Sequence, residues 1–207
     1  MIKGKRNWFL LKIWLFLLFL WISFFSYQYA WGSPQGGTVS AGQAVISQNG
    51  GTTTIQELTN SAIINWNSFN IGAGQLVQFL QPGALSAILN RVIGGNPSLI
   101  FGTLKSNGII FLINPNGILF GQGAEIDTGS FISSTLNLTN QDFLNGDYTF
   151  NQISTLPPSF IVNQGTIQAR DGGSVVLLAP FVYNGGTIIA NLGEIGLGAA
   201  THAVLSY

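Results

Sequence analysis

The 207-residue chain has no cysteine, one histidine and few charged residues. Without cysteine it can form neither a disulfide framework nor a zinc site built on thiolates. Charged residues make up 7% of the sequence, against roughly 25% in an average globular domain. A surface that binds nucleic acid needs an excess of Lys and Arg, and 7 Lys and Arg stand here against 7 Asp and Glu. The composition therefore excludes nucleic-acid binding.

The few cations are concentrated at the N-terminus. Four of the seven lie within the first twelve residues, namely Lys3, Lys5, Arg6 and Lys12. An apolar run, Ile13–Phe25, follows them, and the small residues Ala30 and Gly32 come next. This order is typical of a secretory signal peptide, so we assign residues 1–32 as one, cleaved after Ala30 or Gly32. The alternative is an uncleaved membrane anchor, which usually needs about 20 apolar residues.

The remainder, residues 33–207, has three cations and seven acidic residues, a net charge of −4. Its length suffices for one domain with its own core. A signal peptide implies that the general secretory machinery exports this domain, and the absence of cysteine means that packing and hydrogen bonds stabilise it.

Short apolar or alternating segments follow one another along this domain, separated by Gly, Asn and Pro. They are Gln75–Leu80, Ala87–Ile93, Gly108–Ile113, Ser174–Ala179 and Thr187–Ala190. Segments of this length favour strands, and the spacing leaves no room for crossover helices. The sequence predicts an all-β domain.

An internal repeat distinguishes among all-β folds. Asn163–Ala169 recurs as Asn184–Ala190, with Asn, Gly, Thr, Ile and Ala matched at a spacing of 21 residues. Such a period suits one coil of a parallel β-helix, in which equivalent Asn side chains stack between coils. Two copies leave a β-sandwich as the alternative. The segment Gly36–Ile64 could cap the first coil, and Asn145-Gly146 predicts the turn of a projecting β-hairpin between Phe143-Leu144 and Tyr148–Phe150.

Two Asn-rich motifs are candidate functional residues, Ile64–Gly72 and Ile113–Gly121. In the second, Pro115 suits the first turn position, Asn116 tolerates left-handed geometry and Gly117 reaches positive φ. In the first, the side chains of Asn67, Ser68 and Asn70 can bond to nearby backbone. Both motifs are interpreted as rigid corners between buried strands.

Together with Leu89–Val92, Gly94–Ser98 and Asn163–Ala200, these motifs closely resemble the N-terminal secretion domain of two-partner-secretion exoproteins, the filamentous-haemagglutinin family. The resemblance implies a right-handed parallel β-helix with an N-terminal cap and extra-helical β elements over residues 33–207. It also implies recognition by the periplasmic domains of an Omp85-type outer-membrane transporter, and export to the surface or medium of a Gram-negative-type bacterium.

The resemblance assigns residues from both motifs to recognition by the transporter. These residues are Asn67, Ser68, Phe69, Asn70, Ile71, Asn114, Pro115, Asn116, Gly117 and Ile118. We expect a monomer with no cofactor, no metal and no enzymatic activity.

Two other functional classes remain as alternatives. A surface adhesin or carbohydrate-binding module would bind a host glycan, but family exoproteins that carry adhesive passengers usually extend far beyond residue 207. A truncated product, a fragment and a stand-alone protein all fit this length. An enzyme could use Glu125 and Asp127, which share one face of a strand. A histidine-based catalytic site is disfavoured, because His202 is the single histidine.

Overall fold

The computed structural model describes residues 32–153 and 155–206. The predicted signal peptide lies outside the described residues, except for Gly32. In the described ranges, no helix is both long enough and apolar enough to span a membrane.

The described residues form strands with one short helix, and the strands build three long sheets and a small outer one. In chain order the elements are β1 Thr38–Ala41, β2 Ala44–Asn49, β3 Thr52–Glu57, β4 Ser61–Trp66, β5 Leu76–Leu80, β6 Ala87–Val92, β7 Ser98–Ile100, β8 Thr103–Ser106, β9 Ile109–Ile113, β10 Ile118–Phe120, β11 Glu125–Thr128, β12 Ser130–Ser134, β13 Asn137–Leu138, α1 Asn140–Asn145, β14 Tyr148–Asn151, β15 Phe160–Asn163, β16 Thr166–Ala169, β17 Val175–Ala179, β18 Phe181–Asn184, β19 Thr187–Ala190, β20 Ile195–Ala199 and β21 His202–Leu205.

Each coil of the chain contributes in turn to three sheets. Sheet 1 has the order β1-β4-β6-β9-β12-β17-β20, sheet 2 the order β18-β15-β10-β7, and sheet 3 the order β19-β16-β11-β8-β5-β3-β2. Apart from β1 and β2, their strands pair in parallel. The predicted parallel β-helix is confirmed, and the β-sandwich alternative is wrong.

The register reproduces the sequence repeat. Thr166 pairs with Thr187 and Ala169 with Ala190, so one coil separates the two copies of the 21-residue unit. Asn163 likewise pairs with Asn184 in sheet 2, and the expected stacking of equivalent Asn side chains occurs there.

The inner strands of sheet 1 are buried on both faces, which explains their continuous apolar segments. In β17, Val175 and Leu177 point into the core enclosed by the three sheets. Val176 and Leu178 belong to a second cluster on the outside, where they join Phe143 and Phe150. The apolar run around β17 therefore reflects two separate cores rather than coil stacking alone.

An N-terminal cap closes the first coil, as predicted. β1 runs antiparallel to β4, and β2 runs antiparallel to β3, so the cap is narrower than the Gly36–Ile64 segment assigned to it. β3 and β4 already pair in parallel with the next coil. The change of direction ends the parallel stack at this edge.

A hairpin projects here, as predicted, but its first strand and its turn are not the predicted ones, because Phe143-Leu144 lies in helix α1. β13 and β14 do pair antiparallel, with β21 as a third strand, yet Asn145-Gly146 ends helix α1. Thr139 caps this helix by accepting a hydrogen bond from Asp142 N at 3.1 Å, and Gly146 terminates it at φ +78°. An Asn-Gly pair suits both a hairpin turn and a helix C-cap. We call residues 137–151 with β21 the outer module.

Candidate functional site

The two sequence motifs lie at one corner of the β-helix, where the chain passes from sheet 1 towards sheet 2. The first motif follows β4, and the second connects β9 to β10. Residues 93–97 connect β6 to β7 in the coil between them. We call residues 67–72, 93–97 and 114–117 the motif corner. In a later coil, the outer module projects from the β-helix at this same passage from sheet 1 to sheet 2, between β12 and β15.

The first motif anchors the corner with two buried side chains. Phe69 and Ile71 are 1% and 0% exposed, and Phe69 packs edge-on against Trp66 at a centroid distance of 5.5 Å. Asn70 Oδ1 accepts a hydrogen bond from Leu99 N at 2.8 Å, so this side chain bonds backbone, as expected, but in the next coil.

Asn67 and Ser68 contribute through the main chain rather than through their side chains. Asn67 N donates to Gln35 O at 2.9 Å, and Ser68 O accepts from Gln35 N at 2.8 Å. The motif therefore also holds the segment that precedes the cap.

The second motif is a turn organised by the buried side chain of Asn114. Gly117 N donates to Asn114 O at 3.1 Å, which places Pro115 and Asn116 at the central positions. Asn114 Oδ1 accepts from Asn116 N at 3.0 Å. Gly117 has the expected positive φ, +117°. The left-handed geometry considered for Asn116 is wrong, because among the described non-glycine residues only Leu192 has positive φ.

The intervening coil joins the two motifs. Asn114 Nδ2 donates to Asn96 O and to Ser98 Oγ, both at 3.0 Å. Asn116 Nδ2 donates to Gly94 O at 2.8 Å. On its other side, Gly94 packs so closely that a Cβ there would collide with Asn67 O. Gly94 thus touches both motifs at once.

Gly94, Asn96 and Ser98 were not among the site residues predicted from the sequence. The Gly94-Gly95 pair and the Asn96-Pro97 dipeptide are turn signals in the sequence. Which glycine lies under Asn67, and which carbonyl faces Asn114, depends on the offset between coils. That offset is set by the parallel register and has no local signature.

Electrostatically, the motif corner is neutral. Residues 67–72, 93–97 and 114–117 contain no Asp, Glu, Lys or Arg, so the corner presents amides, backbone groups, the Ser68 hydroxyl and the exposed Ile93 rather than charge. The adjacent cation is Arg91 on β6, which donates to Leu138 O and Asn140 Oδ1 of the outer module. Burial lowers the pKa of the Arg91 guanidinium.

The candidate catalytic residues lie elsewhere. Glu125 is exposed and Asp127 half-buried on β11, and they share its outward face, as strand alternation predicts. His202 is on β21, where its Nδ1 lies 2.8 Å from Asn151 Oδ1. In the described part of the chain, no group of three or more His, Asp or Glu side chains could hold a metal ion.

The described residues thus form a capped parallel β-helix with a neutral Asn-rich corner and an outer module packed against sheet 1. Residues 30–205 match the family described as "TPS secretion domain". The chain belongs to this family.

Relatives and a solved structure agree with this assignment. A heme/hemopexin-binding protein of Haemophilus influenzae strain Rd is 38% identical over 172 residues, which cover 79% of this chain and 19% of the relative. A second H. influenzae heme/hemopexin-binding protein is 41% identical over 97 residues, 47% of this chain and 10% of the relative.

The crystal structure of the HMW1 secretion domain from H. influenzae superposes with a TM-score of 0.80 and 41% identity, covering 84% of this chain and 46% of that one. The chain therefore spans less than half the length of each of these proteins. It is a secretion domain of the two-partner kind, and the family is one of exoprotein secretion domains rather than of enzymes. The adhesin alternative is not favoured.

Proposed function

We propose that the motif corner is the element through which an Omp85-type outer-membrane transporter recognises this chain. The observation that carries the proposal is the direct connection of both motifs through Gly94. Residues distant in sequence form one continuous, uncharged patch, as expected of a surface read by backbone and amide hydrogen bonds.

The proposed route has two steps. Residues 1–32 act as a signal peptide for the general secretory machinery and are removed, and residues 33–207 then reach the transporter from the periplasm. There the coils that form the motif corner bind a periplasmic domain of the transporter, and the chain beyond them, still extended, adds as a strand to an edge of that domain. The remaining coils fold successively outside, and the domain arrives at the cell surface or in the medium as a monomer.

Successive folding is supported by the modular register of the coils. Each parallel strand pairs with the equivalent strand of the preceding coil, so an emerging coil finds a template already in place. With three cations and seven acidic residues, the exported chain also presents few charges to the lumen of a transporter barrel. We propose no catalytic role for Glu125 and Asp127.

Co-expression with the transporter encoded nearest to the chain tests the proposal. Asn67→Leu changes an exposed position of the corner and Asn114→Leu a buried one, while Asn49→Leu changes an exposed residue at the end of β2, outside the corner. We expect both corner variants to reduce the amount of exported protein at least several-fold, and Asn49→Leu to export normally.

Urea unfolding of the purified variants separates recognition from stability. Asn67→Leu should unfold close to the wild-type midpoint, since its side chain is exposed. Normal export of both Asn67→Leu and Asn114→Leu would refute the assignment of these motifs.

A further inference from the structure

A column of buried polar side chains links the first three coils at the turn from sheet 3 to sheet 1. Glu57 ends β3, Gln81 follows β5 and Ser106 ends β8; their exposed fractions are 3%, 7% and 5%. Gln81 Nε2 donates to Glu57 Oε2 at 2.8 Å, and Ser106 Oγ donates to Gln81 Oε1. The column thus ties the capped first coil to the two coils that follow.

Gln81 is held in a single orientation. Its Nε2 also donates to Ser86 O at 2.9 Å. Its main chain is clamped by the Asn107 side chain, with Gln81 N donating to Asn107 Oδ1 and Asn107 Nδ2 donating to Gln81 O, both at 2.7 Å. The Glu57 carboxyl therefore faces one fixed amide donor. Its second oxygen, Oε1, is buried and has no hydrogen-bond partner in the described part of the chain.

Among the described residues no cation pairs with this carboxyl; Arg170 donates instead to Asn107 O at 3.4 Å. β2, whose Ala44 lies opposite Glu57, β5 and the connection to β6 contain no other titratable group. Arg91 on β6 is directed at the outer module. Lys105 precedes Ser106 on β8 and so points to the opposite face of that strand.

Burial is the dominant influence on the acid. It raises the pKa of Glu57 from 4.5 to about 7, and the hydrogen bond from Gln81 offsets part of that rise. A carboxylate buried with one donor and an unpartnered oxygen is costly, and the neutral acid costs less because it carries no charge.

We propose that the first coil is a proton-sensitive clasp. With Glu57 protonated, the first coil packs closed on the second; when Glu57 loses its proton, the buried carboxylate is poorly solvated although Gln81 still donates to it, and the capped coil opens more readily. The clasp operates in the folded domain and does not depend on recognition by a transporter.

The direction of the pH effect follows from proton linkage. Between pH 4.5 and about 7 the folded chain retains a proton at Glu57 that the open chain releases, so closure is strongest at the acidic end of this window and weakens as the pH rises. Above about pH 7 both states are ionised at Glu57, and the dependence levels off.

Hydrogen exchange of the amides in β3 and β5 tests the clasp, with wild type and Glu57→Gln compared at each pH from 5 to 8. The opening equilibrium of wild type relative to Glu57→Gln should rise by up to about tenfold per pH unit below pH 7 and then become constant. Amides of β17 and β20, far along the helix, should show a much smaller difference. Glu125→Gln removes an exposed acid and should keep the wild-type profile.

Identical pH profiles for wild type and Glu57→Gln would overturn the proposal. Should Glu57→Gln fail to fold, the carboxyl carbon of Glu57 can be titrated by NMR in the wild-type domain. A midpoint near 7 supports the clasp, and a midpoint below 5 refutes it.

Discussion

Asn163 and Asn184 occupy equivalent positions in successive coils, and Asn163 Nδ2 donates to Asn184 Oδ1 at 2.8 Å. Asn163 is fully buried, and its own Oδ1 accepts from Gly165 N at 3.1 Å. The Asn163 amide therefore both shapes its own turn and fixes the position of the next coil.

Asn163→Ala should destabilise the domain by about 1–3 kcal/mol, because Gly165 N is left buried without its acceptor. Asn184→Ala removes the same contact from an exposed position and should cost about 0.5 kcal/mol. Urea unfolding monitored by circular dichroism measures both. Equal losses for the two variants would contradict a structural role specific to Asn163.

Gly94→Ala should distort the motif corner, because the added methyl group collides with the backbone oxygen of Asn67. We expect a loss of stability of about 1–3 kcal/mol and reduced export. Gly95→Ala is a matched control, since a Cβ at Gly95 meets nothing within 4 Å. The thermal midpoints and the secreted amounts of the two variants are compared. If Gly94→Ala matches Gly95→Ala in both, the close packing of Gly94 against Asn67 O is dispensable.

Gly146→Ala tests the helix that replaces the expected hairpin turn. Space is available for the methyl group, but φ +78° disfavours any residue with a Cβ, so we expect a loss of about 1 kcal/mol. Gly83→Ala, at a position with ordinary φ and open surroundings, should be close to neutral. Differential scanning calorimetry can resolve the two, and a neutral Gly146→Ala would argue against the left-handed cap.

Phe143→Ala should release the outer module from sheet 1. Phe143 is 3% exposed and meets Phe111 edge-on at 5.3 Å, so its truncation should cost about 3–5 kcal/mol. Leu144, its neighbour, is 48% exposed, and Leu144→Ala should cost little. Hydrogen exchange in β14 reports detachment directly; unchanged protection there in Phe143→Ala would place the anchor of the module elsewhere.

The sequence predicted the coil well because its unit is local. The matched Asn, Gly, Thr, Ile and Ala positions at a spacing of 21 residues define one coil, and the structure stacks these copies in register. The Asn-Pro-Asn-Gly motif likewise carries its own turn chemistry. The transporter-recognition role of the motifs stays a prediction.

Prediction of local structure from the sequence failed where one sequence pattern fits two structures. Asn145-Gly146 suits a hairpin and a helix cap equally, and the burial of Phe143 against Phe111 favoured the helix. Glu57 is a single acid in a polar stretch, and no local sequence pattern marks it as a buried or functional residue. Its significance comes from Gln81 and Ser106, which are brought to it by coils that follow later in the chain.

The sequence by itself determined an all-β chain, the length of its coil, its neutral Asn-rich turns and its family resemblance, since each depends on residues near one another. The tertiary structure decided that Gly94 joins both motifs, that sheet 1 has a second core on its outer face and that Glu57 is buried without a cation. These features depend on the offset between stacked coils, which parallel pairing sets over long separations in sequence.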